Sequence, residues 1–237
     1  MNGLFSKATL FLVMYFYLTQ PAFSEEITLY AEDGWPPYSY ADGTGISNTK
    51  VINAFALEGV TVNIEVLPFA RIIELLKTGH GLLGINVPKT SEYNKHFIFH
   101  DSPLVVAHQH FYYWHDNPLT ATTKEDLNKN TRIGGIIGYG YGDFLDSGAH
   151  VKLERVKNHQ QNLKKLSSHR LDALILFDDV ANELIETHKL QDKLIKGPTG
   201  ESVEIYAAFS KVHPDSKKYI KILNSGLAKL EQQSESR

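Results

Sequence analysis

A strand, an amphipathic helix and a second strand follow one another between residues 60 and 88, and this order limits the possible folds more than any other feature. From Val60 to Leu67, apolar residues alternate with polar ones and are mostly β-branched, which predicts a strand with one buried face. Apolar side chains then recur at helical spacing from Phe69 to Leu76, and a strand from Leu82 to Val87 follows. A strand at Ile27–Tyr30 and a helix at Asn48–Leu57 come before them. The order predicts an α/β fold in which crossover helices join parallel strands.

The stretch Glu32–Tyr40 reads Glu-Asp-Gly-Trp-Pro-Pro-Tyr-Ser-Tyr and follows the first predicted strand. Its two prolines fix φ and remove two backbone donors, which predicts a stiff extended loop instead of a helix or a central strand. Trp35 and Tyr38 either line a ligand cleft or cover a core, and the sequence leaves both readings open. In parallel sheets, ligands bind beyond the carboxyl ends of the strands, where this loop, Phe69 and Asn86 all fall.

A long strand is predicted at Val105–Trp114, and the strand and helix pattern restarts after the polar segment at Asp116–Pro118. This second set predicts another α/β unit, and its last helix packs against the fold through an apolar face. The predicted elements are a capping-box helix start at 123–126, a strand at 132–137, a glycine-rich turn at 138–143, a helix at 158–168, a strand at 171–177, a helix opened by Asp178, a strand at 204–210 and a helix from Pro214.

The first 24 residues have the pattern of a secretory signal peptide, with Lys7, an apolar run from Ala8 to Leu18, and small residues at Ala22 and Ser24. We expect cleavage before Glu25; the alternative is a membrane anchor, although the apolar run is short for one. The chain has no cysteine, so it has neither disulfides nor a lipidation site and depends on its core for stability. These features predict an exported, periplasmic protein.

Charge and motifs exclude several classes of function. The formal net charge is -3 with no basic block, so nucleic acid is not an expected partner. His108 and His110 share a predicted strand face, but without cysteine or a carboxylate–histidine motif we expect no metal and no cofactor. No Gly-x-Ser-x-Gly or His-Glu-x-x-His motif occurs, so we do not expect an enzyme.

The ordered set of short motifs resembles the bacterial extracellular solute-binding proteins of family 3, the receptors of amino-acid-type import systems. The matching pieces are Asp33–Tyr38, Leu67–Gly79, Phe99–Leu104, Ile133–Gly142 and Leu171–Ile175, and the resemblance covers nearly all of residues 25–232. It implies a periplasmic-binding-protein-like α/β fold of two lobes joined by two hinge strands. Lobe one would be residues 25–112 and 205–237, and lobe two residues 113–204. A ligand would bind in the cleft between them and be trapped by hinge closure.

The same resemblance implies a function and its partners. The protein would capture a small polar solute, an amino acid or a related compound, as a monomer, and would deliver it to a membrane permease. The alternative is a sensory or regulatory binding protein of the same fold that signals to a receptor. An enzyme is a more remote alternative.

Two departures from the family pattern concern the anchors for an amino acid. Family members that bind amino acids carry an arginine after the third strand, whereas residues 89–95 here contain lysines but no arginine. They also carry an aspartate after the Val-Asp-Ala strand, a position that Phe177 occupies here, with Asp178 next. Asp178 is either a ligand anchor or a first-turn acid of the following helix. The departures suggest a cleft that is more aromatic than usual.

The sequence leaves two alternatives open for Arg71 and two for the glycine-rich turn at 138–142. Arg71 either binds a carboxylate from an unusual position or pairs with Glu74 or Glu32. The turn at 138–142 either offers backbone N–H groups to an anion or is a tight turn that needs glycine. The candidate ligand-binding residues are Trp35, Tyr38, Phe69, Arg71, Asn86, Tyr139, Tyr141, Phe177 and Asp178.

Overall fold

The computed structural model describes residues 25–236, so the predicted signal peptide lies outside the described residues. The first part of the chain forms a parallel sub-sheet, which we call sub-sheet one, with β1 in its centre between β4 and β5. The predicted parallel arrangement is confirmed here. The elements are β1 (Glu25–Glu32), β2 (Gly34–Trp35), β3 (Ser39–Tyr40), α1 (Ile46–Ala56), β4 (Val60–Leu67), α2 (Phe69–Thr78) and β5 (Leu83–Pro88).

Helix α2 has the bounds that its sequence predicts. It begins after Pro68 and ends at Gly79, which adopts the left-handed conformation with a φ of 76°. A glycine accepts this conformation without a steric penalty, and it is the usual residue after the last turn of a helix. The apolar face of α2 is buried against sub-sheet one and includes Ile72 and Leu76.

The middle of the chain forms a second parallel group, sub-sheet two, in which β8 lies between β10 and β9. Helix α4 is capped as predicted, because the Asn158 side chain accepts a hydrogen bond from the Gln161 N–H at 3.0 Å. The elements are β6 (Phe97–Phe99), β7 (Val105–Trp114), β8 (Arg132–Ile136), α3 (Asp143–Asp146), β9 (Lys152–Val156), α4 (His159–Ser167), β10 (Ala173–Phe177) and α5 (Asp178–His188).

Two long antiparallel strands join the two sub-sheets. Strand β7 pairs with β10, and β11 (Leu194–Ser210) pairs with β5, while β7 and β11 also pair with each other. The result is one curved sheet in the order β4-β1-β5-β11-β7-β10-β8-β9, with β6 added beside β11. The C-terminal helix α6 (Ser216–Glu235) packs on α1.

Several predicted boundaries change in the structure. The stretch after β1 is a two-stranded hairpin with a cis Pro36–Pro37 bond instead of an extended loop. Strand β5 ends one residue later than predicted, at Pro88 opposite Ile205, where the missing N–H of proline is tolerated. Residues 124–126 form only a short 3-10 turn, although the Thr123 capping box is present. Strand β11 begins ten residues before the predicted strand at 204–210, and α6 starts at Ser216.

Candidate ligand cleft

The carboxyl ends of β1 and β5 face the ends of β8 and β10 across a small cavity. Glu32 ends β1, Asn86 lies near the end of β5, and Phe69 begins α2 on the same side. Tyr139, from the glycine-rich turn after β8, and Phe177, from the end of β10, come from the opposite side. The cavity has a volume of about 20 Å³, which is room for about one water molecule. Its lining is Glu32, Trp35, Phe69, Asn86, Pro88, Tyr139, Gly140, Phe177 and Ile205.

A hydrogen bond between Tyr139 and Glu32 crosses this cavity. The Tyr139 hydroxyl donates to Glu32 Oε2, and the Glu32 residue is only 2 % exposed. Burial raises the pKa of Glu32 from its ordinary value to about 8, although the Tyr139 hydroxyl and the nearby Asn86 amide partly oppose this shift. Burial, and then the charge of Glu32, also holds the pKa of Tyr139 well above its ordinary value. Glu32 was not among the predicted ligand residues; its position at the carboxyl end of a parallel strand was the signal that could have identified it.

The glycine-rich turn is docked tightly against sub-sheet one. Gly138 has a φ of 88°, and a Cβ at this position would lie 3.1 Å from the Ala70 Cβ. Only glycine fits this backbone conformation and this close approach without strain. The Tyr139 ring meets Phe69 edge-on at 5.2 Å, and the Tyr93 hydroxyl donates to the Gly138 carbonyl at 3.4 Å. The turn therefore closes the cavity with the Tyr139 side chain.

The aromatic hairpin also reaches across to sub-sheet two. Trp35 stacks on Tyr38 at 4.6 Å and meets Phe177 edge-on at 5.4 Å. The Tyr38 hydroxyl donates to Asp179 Oδ2 at 2.6 Å, and burial is the main reason that the pKa of Tyr38 is raised. Trp35 is 2 % exposed and lines the cavity, so it is both part of a core and part of the candidate site.

Asp178 lies in the first turn of α5 and is surrounded by donors from neighbouring strands. It accepts hydrogen bonds from Tyr112 Oη at 2.9 Å and Lys196 Nζ at 2.8 Å, and its Oδ1 lies 2.8 Å from His110 Nδ1. Partial burial alone would raise the pKa of Asp178, but the bonds from Lys196, Tyr112 and His110 outweigh it and hold this pKa below its ordinary value. Asp178 does not line the cavity, and a ligand-binding role for it stays a prediction.

Arg71 and Tyr141 lie away from the cavity. Arg71 Nη1 is 2.7 Å from Glu74 Oε2, and its side chain is 53 % exposed, which matches the surface ion pair considered as one alternative. The Tyr141 side chain is buried beside β8, where its hydroxyl accepts a hydrogen bond from the Ile136 N–H at 2.7 Å. Of the nine predicted ligand residues, the structure brings Trp35, Phe69, Asn86, Tyr139 and Phe177 together around the cavity, while Tyr38 stacks behind Trp35.

Two wider grooves open on either side of Tyr139. One has a volume of about 580 Å³ and includes Asp33 and Lys157 in its lining. The other has a volume of about 540 Å³ and includes Lys89. Tyr139 lines both grooves as well as the inner cavity.

Known protein families and curated proteins give no match to this sequence. Solved structures do match its fold. Holo ArgBP from T. maritima has a TM-score of 0.73 at 22% identity, covering 87% of this chain and 90% of that chain. A substrate-binding protein of an amino acid ABC transporter has a TM-score of 0.74 at 20% identity, covering 89% and 95%. The GluR0 ligand-binding core from Nostoc punctiforme has a TM-score of 0.74 at 17% identity, covering 88% and 94%.

These similarities define the class of fold. The chain has a periplasmic-binding-protein-like fold, with two α/β lobes joined by two hinge strands and a cleft between the lobes. The predicted resemblance to family 3 solute-binding proteins is thus confirmed at the level of structure.

Within residues 25–236, no helix is long and apolar enough to cross a membrane. The same residues contain no group of three side chains placed to hold a metal ion.

Proposed function

We propose that this protein is an exported solute-binding protein that captures a small polar solute between its lobes and delivers it to an import system. The observation that carries this proposal is the cavity itself, because Glu32 from lobe one and Tyr139 from lobe two meet inside it. A ligand in a site built from both lobes makes more contacts in the closed form than in the open form. This difference in affinity drives closure.

The two sides of the cavity are in contact in a closed arrangement. The cavity of about 20 Å³ is too small for an organic solute, and the Tyr139 hydroxyl donates a hydrogen bond to the buried Glu32 carboxyl group inside it. We infer that the lobes open about β7 and β11, which withdraws Tyr139 and exposes the cavity. The lobe boundaries we propose remain residues 25–112 with 205–237 for lobe one and residues 113–204 for lobe two. The paths of β7 and β11 through both sub-sheets support a division into two lobes, and β7 pairs with β10 of sub-sheet two from Gln109, a few residues before the proposed boundary.

Export and the receiving partner complete the proposal. The predicted signal peptide at residues 1–24 supports a periplasmic location, and the similarity to a transporter's substrate-binding protein supports a permease as partner. A sensory role is the second candidate, since the GluR0 ligand-binding core has the same fold. Loss of solute uptake in a deletion strain would support transport, whereas unchanged uptake with a lost transcriptional or behavioural response would support sensing.

A thermal-shift screen of the mature chain tests the binding role. The panel contains amino acids, amines, small carboxylates and neutral polar solutes. A solute that binds only the folded state stabilises it by about 2.7 kcal/mol at a hundredfold excess over its dissociation constant. We expect one chemical class to raise the melting temperature in proportion to the logarithm of its concentration. No shift with any solute would contradict a binding function, and turnover of a bound solute would favour an enzyme.

A further inference from the structure

The inner cavity has one acidic group and no basic group in its lining. Among the described residues that line it, Glu32 is the one that carries an ionisable acid, and none is Lys, Arg or His. The Tyr139 hydroxyl donates to Glu32, and the Asn86 amide lies near it; neither group is a cation. A buried carboxyl group without a basic partner favours a cation as its ligand, because pairing with the cation lets the carboxyl group lose its proton and ionise inside the protein.

A second observation also indicates a donor-bearing ligand. Asn86 is 4 % exposed, and within residues 25–236 its side-chain oxygen has no hydrogen-bond partner, while its side-chain nitrogen lies near Glu32 and lowers the pKa of that carboxyl group. Buried amides almost always have partners, so this one is available for a ligand in the cavity that it lines. Its oxygen would accept a hydrogen bond from an N–H group, beside the Glu32 carboxyl.

Aromatic rings supply the rest of the inner lining. Trp35, Phe69, Tyr139 and Phe177 surround the cavity, and two edge-on contacts hold their rings in place. Ring faces attract ammonium groups, more strongly when the cation is desolvated. The lining thus combines one carboxyl group with several aromatic rings, as expected of a site for an organic cation.

The two outer grooves do not offer a good anchor for a carboxylate. Their described lining contains no arginine, and its only lysines are Lys89 and Lys157. Arg71 is paired with Glu74 and lines neither the cavity nor the two grooves. Lys89 lies 5.0 Å from the centre of the Tyr206 ring. An amino acid bound with its ammonium group on Glu32 would therefore place its own carboxylate near a buried acid. No arginine guanidinium lines these spaces to pair with that carboxylate.

We propose that the cleft selects small organic amines that carry no carboxylate beside the amine. The ligand's ammonium group would replace the Tyr139 hydroxyl on Glu32 and donate to the Asn86 side-chain oxygen. The remainder of the ligand would extend into the outer grooves, which Tyr139 separates from the inner cavity. This inference rests on the proposed binding function and narrows it to one chemical class.

Matched pairs of an amine and its parent amino acid test the inference by titration calorimetry on the mature protein. The pairs are tyramine and tyrosine, histamine and histidine, agmatine and arginine, and cadaverine and lysine. We expect at least one amine to bind about tenfold or more tightly than its parent. An amino acid that binds as tightly as its amine, or tighter, would overturn the inference but leave the proposed function intact. If no amine binds while neutral or anionic solutes do, the inference also fails; if no solute of any class binds, both fail.

Two variants test the role of Glu32 in that binding. Glu32→Gln has the same shape but no charge, and we expect amine affinity to fall by about 30-fold or more, because a buried charge partner is lost. The control is Glu74→Gln, which removes an exposed carboxylate on α2 outside the cavity and should leave affinity unchanged. Equal affinity of the Glu32→Gln variant and the unmodified protein for the best amine would overturn the inference. The comparison of amines with amino acids needs no variant and remains decisive if Glu32→Gln does not fold.

Discussion

The hydroxyl group of Tyr139, in the turn after β8 of sub-sheet two, donates a hydrogen bond to the buried carboxyl group of Glu32, at the end of β1 in sub-sheet one, although the two residues are 107 positions apart in sequence. This contact lies inside the cavity, and the Tyr38–Asp179 and Tyr93–Gly138 hydrogen bonds join the same two sub-sheets around it. The predictions below separate the contributions of the carboxyl group, the phenol and the glycine-rich turn.

Stability should decrease with pH because of Glu32. The pKa of its carboxyl group is about 8 in the folded protein against an ordinary value of 4.5, so the folded state binds the proton more tightly. The stabilisation is complete below pH 4.5 and is lost as pH rises through about 8. Between about pH 6.5 and 9, the free energy of unfolding should fall by about 2 kcal/mol, as measured by urea denaturation. Glu32→Gln should remove this part of the slope; an equal slope in both proteins would contradict the raised pKa.

Tyr139→Phe should weaken the closed form and strengthen solute binding. Removing the hydroxyl leaves the buried Glu32 carboxyl without its donor, which should cost about 1–2 kcal/mol of stability. The apparent affinity for a solute should rise because the competing hydroxyl is gone. The control is Tyr219→Phe, which also removes a tyrosine hydroxyl that interacts with a carboxylate, that of Glu25, outside the cavity and both grooves. If both variants change affinity equally, Tyr139 has no special role in closing the cleft.

Gly138→Ala should open the cleft. The added Cβ would lie 3.1 Å from Ala70 across the lobes, and the φ of 88° is strained for alanine. Gly148→Ala is a matched control, because Gly148 has a φ of 65° but nothing within 4 Å of a Cβ. Both variants should lose about 1 kcal/mol through backbone strain. Only Gly138→Ala should increase the radius of gyration measured by small-angle scattering; identical scattering from the two variants would contradict the interlobe contact.

Gly226→Ala should destabilise the protein although it lies inside helix α6. Helix propensity alone predicts a gain of about 1 kcal/mol from this change. In the structure, however, an added Cβ would lie 2.1 Å from the Ala54 carbonyl oxygen, because α6 and α1 pack closely at this point. We expect overpacking to cost about 1–3 kcal/mol, measured by denaturation, and to shift the two helices apart. A stabilised variant would show that α1 and α6 do not approach so closely.

The sequence predicts the fold where a local pattern is sufficient. Strand β7 at Val105–Trp114 and helix α2 with its Gly79 cap are correct, since alternation and capping are local signals. Strand β9 was not predicted, because Lys152–Val156 shows little apolar periodicity. The start of β11 was missed because a turn-like Gly197–Gly200 segment interrupts its pattern, and the structure accommodates it with register shifts.

The sequence predicts only part of the site, because the site also depends on contacts between residues far apart in the chain. Position at strand ends identified Phe69 and Asn86, and aromatic character identified Trp35, Tyr139 and Phe177. Residue type alone could not separate Tyr139, which lines the cavity, from Tyr141 two positions later, which is buried in lobe two. Nor could it show that Tyr139 meets Glu32, because that contact depends on how the two lobes are placed. Long-range polar contacts leave no periodic signal in a sequence.

The most direct test of the account is a fluorescence titration that uses the two tryptophans of the chain separately. Trp35 lines the cavity, whereas Trp114 ends β7 outside it, so Trp114→Phe leaves a reporter in the cleft and Trp35→Phe leaves one elsewhere. With the best solute from the thermal screen, we predict a saturable change in emission from the Trp114→Phe variant and little or none from Trp35→Phe. A solute that stabilises the protein but changes the emission of Trp114 and not that of Trp35 would contradict binding between the lobes.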